Sequence, residues 1–356
     1  EFNDWQAVSN LNLCRDNLPL ELEIQLAGLQ KGDLIQHCYA AGELVQAWQP
    51  SQVIIVKSKQ FRPPSKGLES MLPILGRFYP NDFFEGLPRV YEGNKFPCRI
   101  IRIQGDELVI DLNHPLSRKS ITLTLLVESI KKAGAERVDP CNDIPAMLCD
   151  HGPGLQDELE QEVTDFMHGI PFSRLNESKD KNYYDQPRMT PYWDEMALQI
   201  VRYHYQQLIP VKASVMDLMA GVHSPLQDAG CDPASVSCAG LNMQELEGNP
   251  ICTQRFQLDI NTTRPLPFED ESYDCVLIHA AIEYVIHPLQ LITEIGRILK
   301  PQGSLIISFS NRFEGEKCIS LWADAQEFER PAIVLSYLRS TGCFSQFRSY
   351  SHRGNL

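Results

Sequence analysis

Five short strand patterns, separated by stretches with helical spacing, organise the second half of the chain: Ser214–Leu218, Ser235–Leu241, Arg255–Leu258, Tyr273–His279 and Ser304–Phe309. From His287 to Leu299 the residues Leu291, Ile295, Ile298 and Leu299 fall on one helix face. Strands joined by helices cannot pair as hairpins and run parallel instead, because a parallel pair needs a long crossover. The run after Asp274 is continuously apolar, as a strand covered on both faces must be. The pattern predicts a parallel sheet with helices on both faces. In such sheets ligands sit at the carboxyl ends of the strands, where the strand order reverses.

Polar and small residues stand at those strand ends. Asp217 ends the first strand, and Met219-Ala220-Gly221 follows, with Gly221 allowing close passage to a ligand. Asn242-Met243 follows the second strand, and its amide suits ribose hydroxyls. Asp259-Ile260 ends the third, where a carboxylate accepts from an adenine amino group. The stretch Leu266-Pro267-Phe268-Glu269-Asp270-Glu271-Ser272-Tyr273-Asp274 leads into the fourth, and Arg297-Ile298-Leu299-Lys300-Pro301-Gln302-Gly303 into the fifth.

Together these residues resemble a class I S-adenosylmethionine-dependent methyltransferase, over roughly residues 160–350. Phe172-Ser173-Arg174-Leu175, Tyr183–Arg188, Gly240–Met243 and Ser308–Arg312 resemble a subgroup of it. The resemblance implies S-adenosylmethionine as cofactor, held by Tyr184, Arg188, Asp217, Met219, Ala220, Gly221, Asn242, Met243, Asp259, Ile260 and His279. It implies acceptor contacts or catalysis at His279, Glu283 and Tyr284. Tyr183, Tyr184 and Arg188 are expected in a lid, the arginine pairing with a carboxylate and the tyrosines walling the sulfonium. The alternative for the tyrosines is a packing seam. His279 is either a general base or a buried, hydrogen-bonded histidine, and Glu283 either catalyses or starts a helix. Two departures stand out: the usual Gly-x-Gly loop keeps only Gly221, and Asn242 replaces an acid.

The first part reads as β-rich after an opening helix, Leu18–Leu29. Gln52–Lys57 is a β-branched run, Phe96–Ile103 and Glu107–Asp111 flank a Gly105-Asp106 turn, and Ile121–Ile130 alternates. Tyr91-Glu92-Gly93-Asn94, this hairpin, Asn113-His114-Pro115-Leu116 and Leu123–Val127 resemble the closing half of an FKBP-type prolyl isomerase of the SlyD class; Leu22, Leu26 and Gly28–Asp33 resemble its helix and turn. Only about twenty residues precede that helix, so the family's opening strands are not expected and neither is isomerase activity. His114 is expected to cap its turn, and no metal is expected.

The fold class expected is therefore α/β: a Rossmann-like mixed, mostly parallel sheet preceded by a small β-rich α+β FKBP-like domain. Charge supports the division. The chain of 356 residues holds 32 Lys and Arg against 46 Asp and Glu, and the whole net charge of −14 lies beyond residue 133. The expected domains are 1–133, an acidic linker with a leading helix at 134–182 (Asp157–His168 has the spacing), and 183–356. Such acidity discourages a nucleic-acid acceptor. No run approaches the ~18 apolar residues of a membrane span, and the N-terminus shows no signal peptide. The 11 cysteines are scattered without zinc spacing, which reads as reduced thiols in a cytoplasmic protein. Three functions compete: methyl transfer to a small molecule, methyl transfer to a protein client presented by the FKBP-like part, and a binding or chaperone-like protein with a vestigial methyltransferase domain.

Overall fold

The computed structural model describes residues 2–8, 11–13, 15–63, 71–87, 93–131, 141–150 and 164–353. The chain forms two compact units: Glu1–Phe166 with Gln326–Ala332 and Arg348–Leu356, and Met167–Ala325 with Ile333–Phe347. The expected boundary at 133/134 and most of the helix at Asp157–His168 lie outside the described residues. The 182/183 division falls inside the second unit.

The first unit contains β1 (Phe2–Gln6), α1 (Leu20–Leu26), β2 (Leu34–Tyr39), β3 (Val53–Lys57), β4 (Phe78–Pro80), β5 (Pro97–Gln104), β6 (Glu107–Asp111), β7 (Ile121–Leu126) and α2 (Ile144–Cys149). Strands β3-β6-β5-β4 form one antiparallel sheet and β2-β7 another. The expected hairpin is β5–β6, turned by Gly105 at φ +60°. Val56, Tyr79, Cys98, Ile100, Leu108 and Ile110 form the core of the larger sheet. Helix α1 is shorter than expected, because the chain turns at Ala27 and Gly28 takes φ +88°, outside the helical region. His114 caps its own turn, its Nδ1 accepting from the Leu116 N–H at 3.1 Å. The two ends of the chain meet: β1 pairs in parallel with β13 (Ser349–Arg353).

The second unit contains α3 (Asp180–Tyr183), α4 (Glu195–Leu208), β8 (Ser214–Leu218), β9 (Ser235–Gly240), α5 (Met243–Gly248), β10 (Gln254–Gln257), β11 (Tyr273–His279), α6 (Pro288–Ile298), β12 (Leu299–Ser308) and α7 (Ser320–Asp324); α8 (Arg330–Thr341) follows. The sheet order is β10-β9-β8-β11-β12, and every pair is parallel. This corrects the expectation of a mixed sheet: among the described residues no antiparallel strand joins it. The order reverses between β8 and β11, which fixes the switch point.

Strand β11 is the hydrophobic centre, with Cys275, Val276, Leu277 and Ile278 all 0% exposed. Each such aliphatic side chain contributes roughly 1.5–3 kcal/mol by burial. Helix α4 starts at Asp194, whose carboxylate accepts from the Ala197 N–H at 3.0 Å, and packs Leu198, Val201 and Tyr205 against the sheet. Strand β12 begins at Leu299, earlier than expected, because Leu299 pairs with Tyr273 across a register shift. The reduced-thiol expectation is corrected at one pair: Cys238 in β9 is disulfide-bonded to Cys252, just ahead of the neighbouring strand β10. A separation of 14 residues has no distinguishing sequence pattern. Among the described residues no helix is long and apolar enough to cross a membrane.

Candidate active site

Asp217 lies near the end of β8 at the switch point, 3% exposed. Burial pushes its carboxyl up to about 6, with the 2.7 Å hydrogen bond from Ser224 Oγ pulling the other way. The chain then turns at Met219, which takes φ +59°, a region that costs a non-glycine residue roughly 1–2 kcal/mol. Ala220 donates its N–H to the Ala239 carbonyl at 2.9 Å, and its own carbonyl passes directly over Gly240. A Cβ on Gly240 would lie 2.2 Å from that oxygen. Gly221 leaves its backbone bare beside Glu245; a Cβ there would lie 3.1 Å from Glu245 Oε2.

Asn242 caps α5, whose first residue is Met243. Its Oδ1 accepts from the N–H groups of Gln244 and Glu245, and its Nδ2 donates to the Asp185 carbonyl at 3.1 Å. The amide expected to face ribose is thus occupied by the helix and by the 183–188 segment. Glu245, absent from the sequence expectations, is the carboxylate at this edge. Burial raises its carboxyl, and Oε1 accepts from the Arg188 N–H at 2.7 Å. An Asn followed three residues later by Glu reads as a helix cap, which hides a carboxylate turned towards the loop.

Asp259 accepts from the Asn261 N–H at 2.9 Å and stays partly exposed, while Ile260 is buried. Among the described residues no hydrogen bond joins Asp259 to Asp217, Asn242 or His279. His279 ends β11. Its Nδ1 pairs with Ser308 Oγ at 2.8 Å, and its ring meets Trp193 edge-on at 4.4 Å. Burial, and then the nearby His223, push its pKa down to about 3, so the imidazole is neutral. Glu283 is 1% exposed within a 3-10 turn at Ile282–Tyr284, its carbonyl accepting from the Ile319 N–H.

Tyr284 joins a different group. Its hydroxyl meets that of Tyr192 at 3.2 Å and accepts from the Glu314 N–H at 2.7 Å. Tyr184 stands edge-on to Tyr183 at 4.9 Å. Burial, then the charges of Asp180 and Glu314, raise its hydroxyl's pKa. Arg188 lays its guanidinium 4.6 Å over the Tyr192 ring. Several candidate residues gather in two clusters at the carboxyl edge, the 217–221 loop with Asn242 and Glu245, and the tyrosines with Glu314, while Asp259 and His279 belong to neither. The 183–192 segment touches both.

Residues 221–307 match the family described as the methyltransferase domain. By that likeness they carry a methyltransferase domain, and a domain of this kind implies S-adenosylmethionine as cofactor. Similar solved structures include the YcgJ protein of Bacillus subtilis, 17% identical, covering 32% of this chain and 50% of that one, with a TM-score of 0.27. A S-adenosylmethionine-dependent methyltransferase of Mesorhizobium loti is 14% identical, covering 41% and 82%, with a TM-score of 0.32. The PH0226 protein of Pyrococcus horikoshii is 23% identical, covering 37% and 68%, with a TM-score of 0.29. The chain thus spans half the length of the first of these. No curated protein matches it.

The loop fits such a cofactor. Gly240 leaves room for the Ala220 carbonyl and so sets the course of the loop, Gly221 carries no side chain there, and Asp217 has acceptor capacity left for an ammonium group. The raised Asp217 pKa carries a sign. Pairing with an ammonium needs the carboxylate, so S-adenosylhomocysteine affinity should increase as pH rises through about 6. Calorimetry between pH 5 and 7 checks this, and Asp217→Asn should flatten the profile.

Proposed function

We propose that this protein transfers a methyl group from S-adenosylmethionine to a small-molecule acceptor. The observation that carries the reading is the tight loop after β8 at the switch point, where Gly221 lies beside Glu245 and Gly240 of the neighbouring strand leaves room for the Ala220 carbonyl. The cofactor supplies a methyl group already activated on a sulfonium. Asp217 orients the ammonium end. Glu245 takes the ribose role that Asn242, occupied as a helix cap, leaves open. Asp259 accepts from the adenine amino group. The neutral, Ser308-bonded His279 shapes the acceptor side rather than removing a proton, since a group with pKa near 3 is a weak base at neutral pH. Positioning and exclusion of water then supply most of the acceleration.

The first unit, read as FKBP-like, serves as a non-catalytic module. Strand β1, ahead of α1, pairs with β13 and not with the 34–126 sheets, so it does not furnish the opening strands of a proline pocket. Prolyl-isomerase turnover by the full chain would contradict this.

The Glu245 assignment separates from Asn242 by mutation. Glu245→Gln should weaken S-adenosylhomocysteine binding about tenfold, the loss of one charge-assisted hydrogen bond. Asn242→Ser, which keeps a helix cap, should change it less than threefold. The reverse order would return the ribose role to Asn242.

A further inference from the structure

Beside the tyrosine cluster lies a cavity of about 450 Å³, lined by Arg188, Tyr192, Asn311, Arg312, Phe313 and Glu314. It sits at the carboxyl edge of the sheet: residues 311–314 closely follow β12, and Tyr192 meets Tyr284, which follows β11. On a chain with a net charge of −14, two guanidinium groups lining one cavity run against the composition. Neither is in an ion pair among the described residues. Arg188 lies over the Tyr192 ring and donates its backbone N–H to Glu245, whose carboxylate also feels the Arg188 charge without an ion-pair contact. Arg312 uses its backbone N–H towards Ser310 Oγ. The one carboxylate lining the cavity, Glu314, is directed to the Tyr183 hydroxyl.

Two exposed cations at one cavity repel each other until an anion lies between them. A guanidinium binds a carboxylate through two parallel hydrogen bonds. Tyr192, which carries Arg188 over one ring face, also lines the cavity and supplies an aromatic wall for a planar body. We propose that the methyl acceptor is an aromatic carboxylic acid, its carboxylate oriented by Arg188 and Arg312 and its ring placed against Tyr192. One carboxylate oxygen forms the new bond to the methyl carbon, the sulfonium S–CH3 bond breaks with its electron pair staying on the sulfur of S-adenosylhomocysteine, and no proton has to be removed. This rests on the methyltransferase reading of the same unit. The same arginines could instead hold the carboxylate of the cofactor's methionine moiety, and the test separates the two.

Calorimetry on the full chain would use benzoate, benzamide, S-adenosylhomocysteine and methylthioadenosine, which lacks the amino-acid end. The expected result is saturable benzoate binding, with benzamide at least tenfold weaker. Arg312→Ala and Arg188→Ala should each weaken benzoate at least tenfold, and Arg312→Ala should leave S-adenosylhomocysteine within twofold. Arg312→Lys should recover part of the loss. If the variants instead weaken S-adenosylhomocysteine tenfold but spare methylthioadenosine, the arginines serve the cofactor and the acceptor assignment falls. If S-adenosylhomocysteine binds and benzoate does not, the proposal is overturned while the methyltransferase reading stands. Benzoate binding without any S-adenosylhomocysteine binding would overturn both, since the bound anion would then be no methyl acceptor.

Discussion

Asp180→Ala is expected to cost the methyltransferase unit about 3–5 kcal/mol, the range for removing one partner of a buried ionic network. Asp180 is 6% exposed and accepts from Arg174 Nη1 at 2.8 and 3.0 Å, from Lys317 Nζ at 2.9 Å and from Asn261 Nδ2 at 2.9 Å. Burial pushes its carboxyl up, but the Asn261, Lys317 and Arg174 donors outweigh burial and hold it below the usual carboxylate range. Alanine would leave Arg174, 6% exposed, and Lys317, 0% exposed, without this shared counter-charge. The damage would reach the site, because Asn261 also donates to the Tyr284 carbonyl and Lys317 lies 5.0 Å from the Tyr183 ring centre. Denaturant unfolding measures the effect. A loss below ~1 kcal/mol would show that the network is dispensable.

Gly240→Ala should abolish cofactor binding at micromolar concentrations. The added Cβ would meet the Ala220 carbonyl at 2.2 Å, and that neighbour is backbone, so the 219–221 loop must move by about 1 Å to restore ordinary contact. A displacement of that size is worth on the order of 100-fold in a preorganised site. Overpacking should add a stability cost of about 1–3 kcal/mol. Gly221→Ala provides the contrast, since its Cβ would meet only the Glu245 carboxylate, at 3.1 Å, and a side chain can give way. S-adenosylhomocysteine titration should therefore rank the two losses with Gly240→Ala the larger. Equal affinity in Gly240→Ala and the unsubstituted protein would mean that the loop does not carry the ligand.

The sheet was legible because its signals are local. The alternation of short strand patterns with helical stretches, and the apolar run of β11, located β8, β9, β10 and β11 to within about two residues. Pairings between distant segments left no such trace. Strand β2 joins β7 across more than eighty residues, and β1 joins β13 across nearly the whole chain. Helix α4 starts at Asp194 and buries Leu198, Val201 and Tyr205 at helical spacing, with Gln199, Gln206 and Gln207 exposed on its other side.

The candidate site divides the same way. Asp217, Gly221 and Asp259 stand out as strand-end residues, since strand order alone gives that edge its chemistry. The cap made by Asn242 is local, but the claim of the Asp185 carbonyl, 57 residues earlier, on its Nδ2 could not be read. The significance of Gly240 was equally hidden. It reads as a strand residue until the Ala220 carbonyl is seen to cross it. The Asp180 network draws on Arg174, Asn261 and Lys317, three separate segments whose charges look like ordinary surface in sequence.

The central claim is that the loop after β8 holds S-adenosylmethionine. Calorimetric titration of the full chain with S-adenosylhomocysteine at pH 7.5, beside Asp217→Ala and Asp259→Ala, tests it most directly. The account predicts one-site binding in the micromolar range, weakened at least tenfold by either substitution. No heat at millimolar ligand, or affinity unchanged in both variants, would contradict it.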